Sequence, residues 1–204
     1  GTVRITTPEH AARTLLWPAL KQLLPKYPDI HVELSLDNSL VDIVTQRFDA
    51  GVRLGEAVAK DMIAMRIGPD LRMAAVASPS YFKKRPKPRT PHDLAEHVCM
   101  NMRQPTAGGL YAWEFEKDGR ELRVRVDGQL TLNGSLLIVD AAQAGLGVAY
   151  VLEDVVLPML ADGTLVRVLE DWCPPFSGFH LYYPSRRQPS PAFAVLLKAL
   201  RYRR

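Results

Sequence analysis

The sequence contains only two cysteines and no long apolar run. Cys99 and Cys173 are too few for a disulfide scaffold, and their spacing does not fit a zinc site, so we expect two structural thiols in a reducing compartment. The longest apolar runs, at 136–139 and 155–160, are far shorter than the roughly 20 residues that span a bilayer. The first residues show no signal-peptide pattern. These absences argue against a disulfide-rich or membrane-spanning protein.

The excess of positive charge is confined to two short segments. The net charge of +4 includes five cations within residues 83–89 and three near the C-terminus, Arg201, Arg203 and Arg204. Without these eight of the 26 Lys and Arg residues, the 22 acidic residues would give a net charge of −4. A basic segment interleaved with proline is usually a solvated connection, and no aromatic residues alternate with these cations to stack on bases. The charge pattern therefore disfavours nucleic-acid binding by this chain itself.

Catalytic and metal-binding motifs are also missing. His92, Glu96 and His97 depart by one residue from the zinc motif H-x-x-E-H, so surface helix residues are the better interpretation. Residues 145–147 lack the third glycine of a dinucleotide fingerprint and follow a predicted helix, so we interpret Gly145 as a helix C-cap. Neither G-x-S-x-G nor a P-loop occurs. The sequence thus predicts no catalytic residue, no metal site and no cofactor.

Apolar periodicity predicts an α/β fold. The first third of the chain has the β-α-β-α-β order of a parallel sheet with helices on its faces. The middle differs, because residues 113–126 alternate as a hairpin about an Asp-Gly turn. Two segments rich in alternating strands and helices, separated by an irregular middle segment, indicate two lobes. The predicted elements are strands at 3–6, 31–36, 48–54 and 179–183, and helices at about 9–24, 40–46, 135–144, 153–160 and from 191.

Polar residues cluster where predicted strands meet predicted helices. Residues 6–10 follow the first strand, residues 37–39 follow the second, and residues 133–135 precede a helix in the second lobe. In open α/β sheets ligands bind beyond the carboxyl ends of strands, and free N–H groups at helix starts favour anions. Ordinary N-capping is the commoner explanation for any single junction. Three junctions in one chain favour a ligand-binding cleft.

The order of short motifs resembles the effector-binding (substrate-binding) domain of LysR-type transcriptional regulators. The resemblance covers essentially the whole chain, and it rests on the order and spacing of motifs of which none is strongly specific alone. The last two motifs resemble a large subgroup of the family. The motifs are GTVRI at 1–5, LPKYP at 24–28, FDAGVRLG at 48–55, VASPSY at 76–81, TPHDL at 90–94, AAQAGLGVAY at 141–150, GTLV at 163–166, WCPPF at 172–176 and YYPSRR at 182–187.

The resemblance implies a two-lobed fold like that of type 2 periplasmic binding proteins, each lobe a mixed, mostly parallel sheet flanked by helices. Lobe I would comprise 1–68 and 170–204, and lobe II 69–169. A winged helix-turn-helix that binds DNA would precede this chain, which lacks an initiator methionine, in a longer protein. The domain would form a homodimer, with tetramers in the full-length protein, and would be cytoplasmic.

The resemblance also implies a small polar effector between the lobes. Arg53 and Arg103 would pair with a carboxylate, which favours an organic acid, although ion pairs with nearby acidic residues are an equal alternative. Glu9 would repel an anion, so either it points away or the effector carries a positive group. The implied ligand-binding residues are Thr7, Pro8, Glu9, Asp37, Asn38, Ser39, Arg53, Asn101, Arg103, Thr106, Asn133 and Ser135.

Two other classes of function remain open at this point. A periplasmic solute-binding protein of a transporter would have the same fold, and the codons upstream of the gene would distinguish it from a regulator. An enzyme such as a dehydratase would need an acid–base group, for which Glu9 and His10 at the first turn are the candidates. We expect the regulator's sensor domain, a non-catalytic protein.

Overall fold

The computed structural model describes residues 1–55, 60–104 and 108–204, which divide into two units. Unit 1 consists of Gly1–Asp70 and Ser177–Arg204, and unit 2 of Leu71–Phe176. Residues 170–176 belong to unit 2, where Cys173 is buried in the core. The sequence analysis expected lobe II to end at residue 169, whereas unit 2 ends at Phe176.

Unit 1 contains a five-stranded mixed sheet in the order β2-β1-β3-β12-β4. The strand β1 pairs in parallel with β2 and β3, whereas β12 pairs antiparallel with β3 and β4. Alternation buries Val3 and Ile5 of β1 on one face. The strands are β1 (Thr2–Thr7), β2 (His31–Leu36), β3 (Ala50–Leu54), β4 (Met62–Arg66) and β12 (Phe179–Pro184).

Helices of unit 1 form as the apolar spacing predicts. The first helical segment begins after Pro8, and its i+4 row buries Ala12, Leu16 and Leu20. The last helix begins at Ser190, whose hydroxyl accepts a hydrogen bond from the Phe193 N–H (3.1 Å). The segments are α1 (Glu9–Ala11), a π-helical stretch (Ala12–Leu16), α2 (Trp17–Leu23), a 3-10 turn (Leu24–Lys26) and α6 (Pro191–Leu200).

The helix predicted at 40–46 is wrong: residues 43–47 form a turn. The Asp42 carboxylate accepts hydrogen bonds from the N–H groups of Val44 and Thr45, at 3.1 and 3.2 Å. Arg47, with φ at 59°, ends the turn in the left-handed region. An Asp that bonds the main chain two and three residues on favours a turn, and the segment is too short for a helix to compete.

Unit 2 contains three small sheets around two apolar clusters. A three-stranded antiparallel sheet has the order β10-β5-β11, β6 and β9 form a parallel pair, and β7 and β8 form the predicted hairpin, whose turn has Asp118 and Gly119 at φ 53° and 76°. Trp113 of the hairpin stacks on Tyr150, with ring centroids 5.1 Å apart. The strands are β5 (Met73–Ala77), β6 (Asn101–Met102), β7 (Trp113–Lys117), β8 (Arg120–Val124), β9 (Thr131–Leu132), β10 (Ala149–Leu152) and β11 (Val166–Val168).

The helices Ser135–Gln143 and Glu153–Asp162 pack in an apolar cluster where Ile138 and Val156 are buried, whereas the helix Pro79–Lys83 adds Tyr81 to the other cluster, around Trp113. Gly145 has φ at 82° and follows the helix that ends at Gln143, as expected for a C-cap glycine. His92 and Glu96 lie on a 3-10 segment and are exposed. The helices are α3 (Pro79–Lys83), α4 (Ser135–Gln143) and α5 (Glu153–Asp162), with 3-10 segments at Pro91–Glu96 and Glu170–Trp172.

The α/β class and the mixed sheets flanked by helices are confirmed. Parallel pairing is less common than expected, because β12 enters the unit 1 sheet antiparallel and the three-stranded sheet of unit 2 is antiparallel throughout. Cys99 and Cys173 are both buried and neither is in a disulfide, and burial raises the pKa of each thiol. No helix in the described part of the chain is long and apolar enough to cross a membrane.

Candidate functional site

Three parallel strands of unit 1 bring the predicted residues to one edge of the sheet. Thr7 is in register with Leu36, and Thr6 with Gly51, so the carboxyl ends of β1, β2 and β3 coincide. The N–H of Asp37 donates to the Thr7 carbonyl (2.9 Å), which fixes the second loop against the first. The turn at 7–9, the loop at 37–39 and Arg53 therefore lie along the same edge.

Asp37 and Ser39 form a tight turn instead of the expected helix cap. The main-chain N–H and the hydroxyl of Ser39 both donate to Asp37 Oδ1, at 2.8 and 2.6 Å. The hydrogen bond from the Ser39 hydroxyl, that from its main chain and the charge of Arg53 hold the pKa of the Asp37 carboxyl below its ordinary value. Asn38, between them, is exposed. The loop thus presents an ionised carboxylate beside an arginine.

Arg53 is partly buried at the carboxyl end of β3. Its guanidinium donates to the carbonyls of Ser39 and Val52, and no carboxylate in the described part of the chain lies within ion-pair distance. Burial lowers the pKa of the guanidinium, while Tyr182 and Asp37 oppose that shift, and arginine keeps its charge. Its Nε–H is buried with no hydrogen-bond partner among the described residues. An unpaired, buried donor on a cation is suited to an anionic ligand.

Tyr182 and Thr6 adjoin this edge; the sequence analysis placed Thr6 in the polar turn at 6–10, but it included neither residue among the implied ligand-binding residues. Tyr182 of β12 lies opposite Gly51 of β3, and its ring covers the glycine. Burial raises the pKa of the Tyr182 hydroxyl, and the charge of Arg53 counteracts part of that rise. Thr6 is fully buried, and its hydroxyl has no partner among the described residues. A glycine within a strand signals such close approach, and Gly51 could have revealed it.

The first turn is less available to a ligand than expected. Thr7 is buried, and its hydroxyl donates to the Pro8 carbonyl (3.0 Å). Pro8 is the N-cap of α1 and provides no side-chain cap. Glu9 pairs along the helix with Arg13, at 3.2 Å between exposed side chains. Because Arg13 offsets its charge, Glu9 opposes an anion less than the sequence suggested.

The parallel pair β6 and β9 brings the unit 2 residues together in the same way. Asn101 is in register with Thr131, and Arg103 follows β6 where Asn133 follows β9. Asn101 is buried, and its Nδ2 donates to the Val126 carbonyl (3.0 Å), so it holds the core rather than facing a ligand. Thr106 lies outside the described residues.

Arg103 and the start of α4 form the polar group of this edge. The Arg103 side chain donates to the Gly108 carbonyl (2.7 Å), and its N–H bonds the Leu132 carbonyl (2.9 Å). The N-cap of α4 is Gly134 and contributes no side-chain bond, so ordinary N-capping, the alternative considered for this junction, does not account for Asn133 or Ser135. Asn133 is exposed and Ser135 is half-buried on the first turn.

Metal-binding clusters are not found in residues 1–55, 60–104 and 108–204, where no three His, Cys, Asp or Glu side chains converge. His97 instead lies in the core of unit 2, where its Nδ1 is 2.8 Å from the Tyr81 hydroxyl. The two sheet edges described above carry hydrogen-bond donors and the cations Arg53 and Arg103, which are groups that can bind a ligand.

Comparison with known proteins identifies the family. The sequence-family model of the LysR substrate-binding domain matches residues 1–204. The chain is 58% identical over 204 residues to a putative transcriptional regulator of Pseudomonas aeruginosa and 47% identical over 203 residues to the HTH-type transcriptional regulator PgrR of Escherichia coli, and it covers 67% and 68% of their lengths. The chain thus spans about two thirds of these relatives.

Solved structures agree with this assignment. Full-length AphB of Vibrio cholerae, a virulence activator of the same family, has a TM-score of 0.82 and 25% identity; the match covers 98% of this chain and 67% of AphB. The regulatory domain of AphB from Vibrio vulnificus has a TM-score of 0.82 at 24% identity and matches over 98% of both chains.

The fold and the relatives together define the class: this is a regulatory domain of a transcriptional regulator. The chain belongs to the LysR substrate-binding domain family, and it is the effector-binding domain of a LysR-type transcriptional regulator. The relatives are regulators and not enzymes, which confirms the non-catalytic interpretation.

Proposed function

We propose that the domain senses a small polar metabolite that carries a carboxylate, and that Arg53 is its principal anchor in unit 1. The observation that carries this proposal is the buried Nε–H of Arg53 at the carboxyl edge of three strands, which has no hydrogen-bond partner among the described residues. Main-chain carbonyls orient the other guanidinium nitrogens. Because those carbonyls do not neutralise the cation, a carboxylate gains both a hydrogen bond and a charge interaction.

Unit 2 would contribute the second group of contacts. Arg103, Asn133 and Ser135 gather at the carboxyl ends of β6 and β9, and the first turn of α4 adds main-chain N–H groups with no side-chain cap. We propose that unit 1 corresponds to lobe I and unit 2 to lobe II. Thr7, Asp37, Asn38 and Ser39 would complete the unit 1 contacts.

The output of sensing would be a change in DNA binding. Relatives named HTH-type regulators are longer than this chain, so we propose that a DNA-binding domain precedes it and that this domain forms homodimers in the cytoplasm. An effector with different affinities for two dimer geometries shifts their populations, and the attached DNA-binding domains follow.

A thermal-shift screen of small organic acids, amino acids and neutral analogues tests the proposal. At least one acid should raise the melting temperature, while its amide should not. The variants Arg53→Gln and Arg103→Gln should each weaken the binding of that acid by tenfold or more, about 1.4 kcal/mol. Arg123→Gln is the matched control, since Arg123 pairs with Glu114 on the exposed hairpin. If Arg53→Gln binds the acid as well as the parent does, this assignment is wrong.

A further inference from the structure

Strand β4 is an edge of the unit 1 sheet, and its outward main-chain groups can be assigned. Within the part of the chain that the structure describes, the strand pairs with β12 alone. Just before β4, the Asp61 carbonyl accepts from the N–H of Ser185 (2.7 Å). Just after β4, the N–H of Ile67 donates to the Phe179 carbonyl (3.1 Å). Hydrogen-bonding direction alternates along an antiparallel strand. The groups that face away from β12 are therefore those of Met62, Ala64 and Arg66.

One hydrogen bond on the outer side supports this assignment. The N–H of Tyr202 donates to the Arg66 carbonyl (2.9 Å), so the segment after α6 pairs with the last residue of β4. The N–H and C=O of Ala64 and Met62 have no main-chain partner within residues 1–55, 60–104 and 108–204. An unpaired edge of this kind is a template for a further strand.

A groove of about 250 Å³ follows this edge, and apolar, aromatic and cationic side chains line it. The lining residues are Ile63, Ala64, Met65, Arg66, Tyr183, Arg201 and Tyr202. The Arg66 guanidinium lies 4.7 Å from the centre of the Tyr202 ring and pairs with Asp70 at 2.9 Å. Arg201, Arg203 and Arg204 are exposed, and none forms an ion pair in the part of the chain that the structure describes. Arg201 therefore gives the groove a cation that no carboxylate of the described residues neutralises, and Arg203 and Arg204 follow it in the chain.

We propose that the β4 edge binds an extended acidic segment of another protein by strand addition. Main-chain bonds to the N–H and C=O of Ala64 and to the N–H of Arg66 would hold the segment in register, and its carboxylates would face Arg201, Arg203 and Arg204. A second copy of this chain fits less well, because the edge strand itself (Met62–Arg66) carries no acidic residue to face these arginines. This surface is distinct from the residues proposed for the effector.

The first test uses a peptide probe, acetyl-VEVEVE-amide, titrated into the 15N-labelled 204-residue chain. The amides of Ala64 and Arg66 should shift and become protected from solvent exchange. Those of Ile63 and Met65 should change less, since they already bond β12. The lysine analogue VKVKVK and a probe N-methylated at alternate residues are the controls, and neither should bind. Equal changes at all four amides, or equal binding of VKVKVK, would overturn the proposal.

Variants of the chain give a second test. Ala64→Pro removes an N–H that faces outward and no bond of the sheet, so it should weaken probe binding about fivefold or more, the effect of one hydrogen bond. Ala64→Val keeps the N–H and is the matched control. The triple change Arg201→Gln, Arg203→Gln and Arg204→Gln should weaken binding and reduce its dependence on salt.

The outcomes separate the occupants. Probe binding that Ala64→Pro weakens and Ala64→Val leaves intact supports strand addition by an acidic segment. No binding at about 1 mM probe, where the interaction would be worth only about 4 kcal/mol, overturns it. Concentration-dependent dimers that Ala64→Pro abolishes would identify a second copy as the occupant and would also overturn it. Thermal unfolding of each variant verifies that it folds.

Discussion

At the scale of single residues, Gly51 is the position where a side chain is least tolerated on the sheet that bears Arg53. A Cβ at this position would overlap the Tyr182 ring, with Cε1 only 2.8 Å away. Tyr182 is buried against Ile43 and Phe48, so the ring cannot swing out freely. We predict that Gly51→Ala lowers the free energy of unfolding by about 1–3 kcal/mol, the usual cost of overpacking.

Urea denaturation monitored by circular dichroism measures this change. Gly109→Ala is the matched control, because a Cβ there meets nothing within 4 Å. The control should stay within about 0.5 kcal/mol of the parent, as is usual for surface substitutions. If Gly51→Ala were as stable as the parent, the Tyr182 ring would not lie across this strand.

A second residue-scale feature is the buried pair of Tyr81 and His97. The Tyr81 hydroxyl accepts from the N–H of Val98 (3.1 Å) and from Arg85 (3.3 Å), so its proton must be donated to His97 Nδ1 at 2.8 Å. The imidazole is therefore neutral, with its proton on Nε2. Protonation of Nδ1 would set two donors against each other, beside the charge of Arg85.

This arrangement makes unit 2 sensitive to acid. Burial, and then the charge of Arg85, lower the pKa of His97 below its ordinary value of 6.5, although a hydrogen bond to the main chain of Pro86 and the charges of Asp93 and Glu96 counteract part of that. With a depressed folded pKa, the unfolded chain binds the proton more readily. The contribution to stability is thus complete above pH 6.5 and is lost as the pH falls below that value.

We predict that the free energy of unfolding falls between pH 7.5 and 5.5, as measured by urea denaturation. His97→Gln should remove part of that fall, because the Gln amide oxygen can accept from Tyr81 but does not titrate. His92→Gln is the control, since His92 is exposed and should leave the fall unchanged. An identical pH dependence in the parent and His97→Gln would contradict the network.

At the scale of elements, two helix starts differ in a way that is testable. Ser190 caps α6 by accepting from the Phe193 N–H, whereas Ser135 follows the N-cap Gly134 of α4 and caps nothing. Ser190→Ala should therefore lower the free energy of unfolding by about 1 kcal/mol, and Ser135→Ala by much less. Denaturation of both variants at one pH measures the difference, and equal losses would contradict the assigned caps.

Elements with local signals were predictable from the sequence. The hairpin at β7 and β8 follows from alternation and an Asp-Gly turn, and α6 from its i, i+3, i+4 spacing with Ser190 before it. Residues 40–46 misled because Leu40, Ile43 and Val44 have the i, i+3, i+4 spacing of a helix. There the Asp42 carboxylate accepts a hydrogen bond from the main-chain N–H of Val44 and so favours a turn over a helix. Apolar periodicity does not reveal that competition.

The position of the candidate site at the sheet edge was predictable from the sequence, but the contacts of its individual residues were not. Strand ends place the loop 37–39 and Arg53 along one edge because the strands are parallel, and the order of elements indicated that. Asn101 could not be recognised as a structural residue, since its partner is a carbonyl 25 residues away. Tyr182 was missed because β12 joins the sheet from the far end of the chain.

At the scale of the whole molecule, the two units differ in how the chain builds them. Unit 2 is one continuous segment, whereas unit 1 needs two segments, because β12 lies between β3 and β4. Without residues 177–204, β4 would lose its single neighbour and β3 one of its two. The core under the Tyr182 ring would also be lost. Unit 1 must therefore wait for the end of the chain before its sheet can close.

This difference predicts the behaviour of fragments. Residues 71–176 should unfold cooperatively in urea by themselves, since both of their apolar clusters lie within that segment. Residues 1–70 should show no cooperative transition, and joining residues 177–204 to them through a flexible Gly-Ser linker should restore one, because the linker lowers the entropic cost of adding β12. Circular dichroism and intrinsic fluorescence measured on all three fragments test this. A cooperative transition of 1–70 alone would mean that β1, β2 and β3 form a stable core without β12.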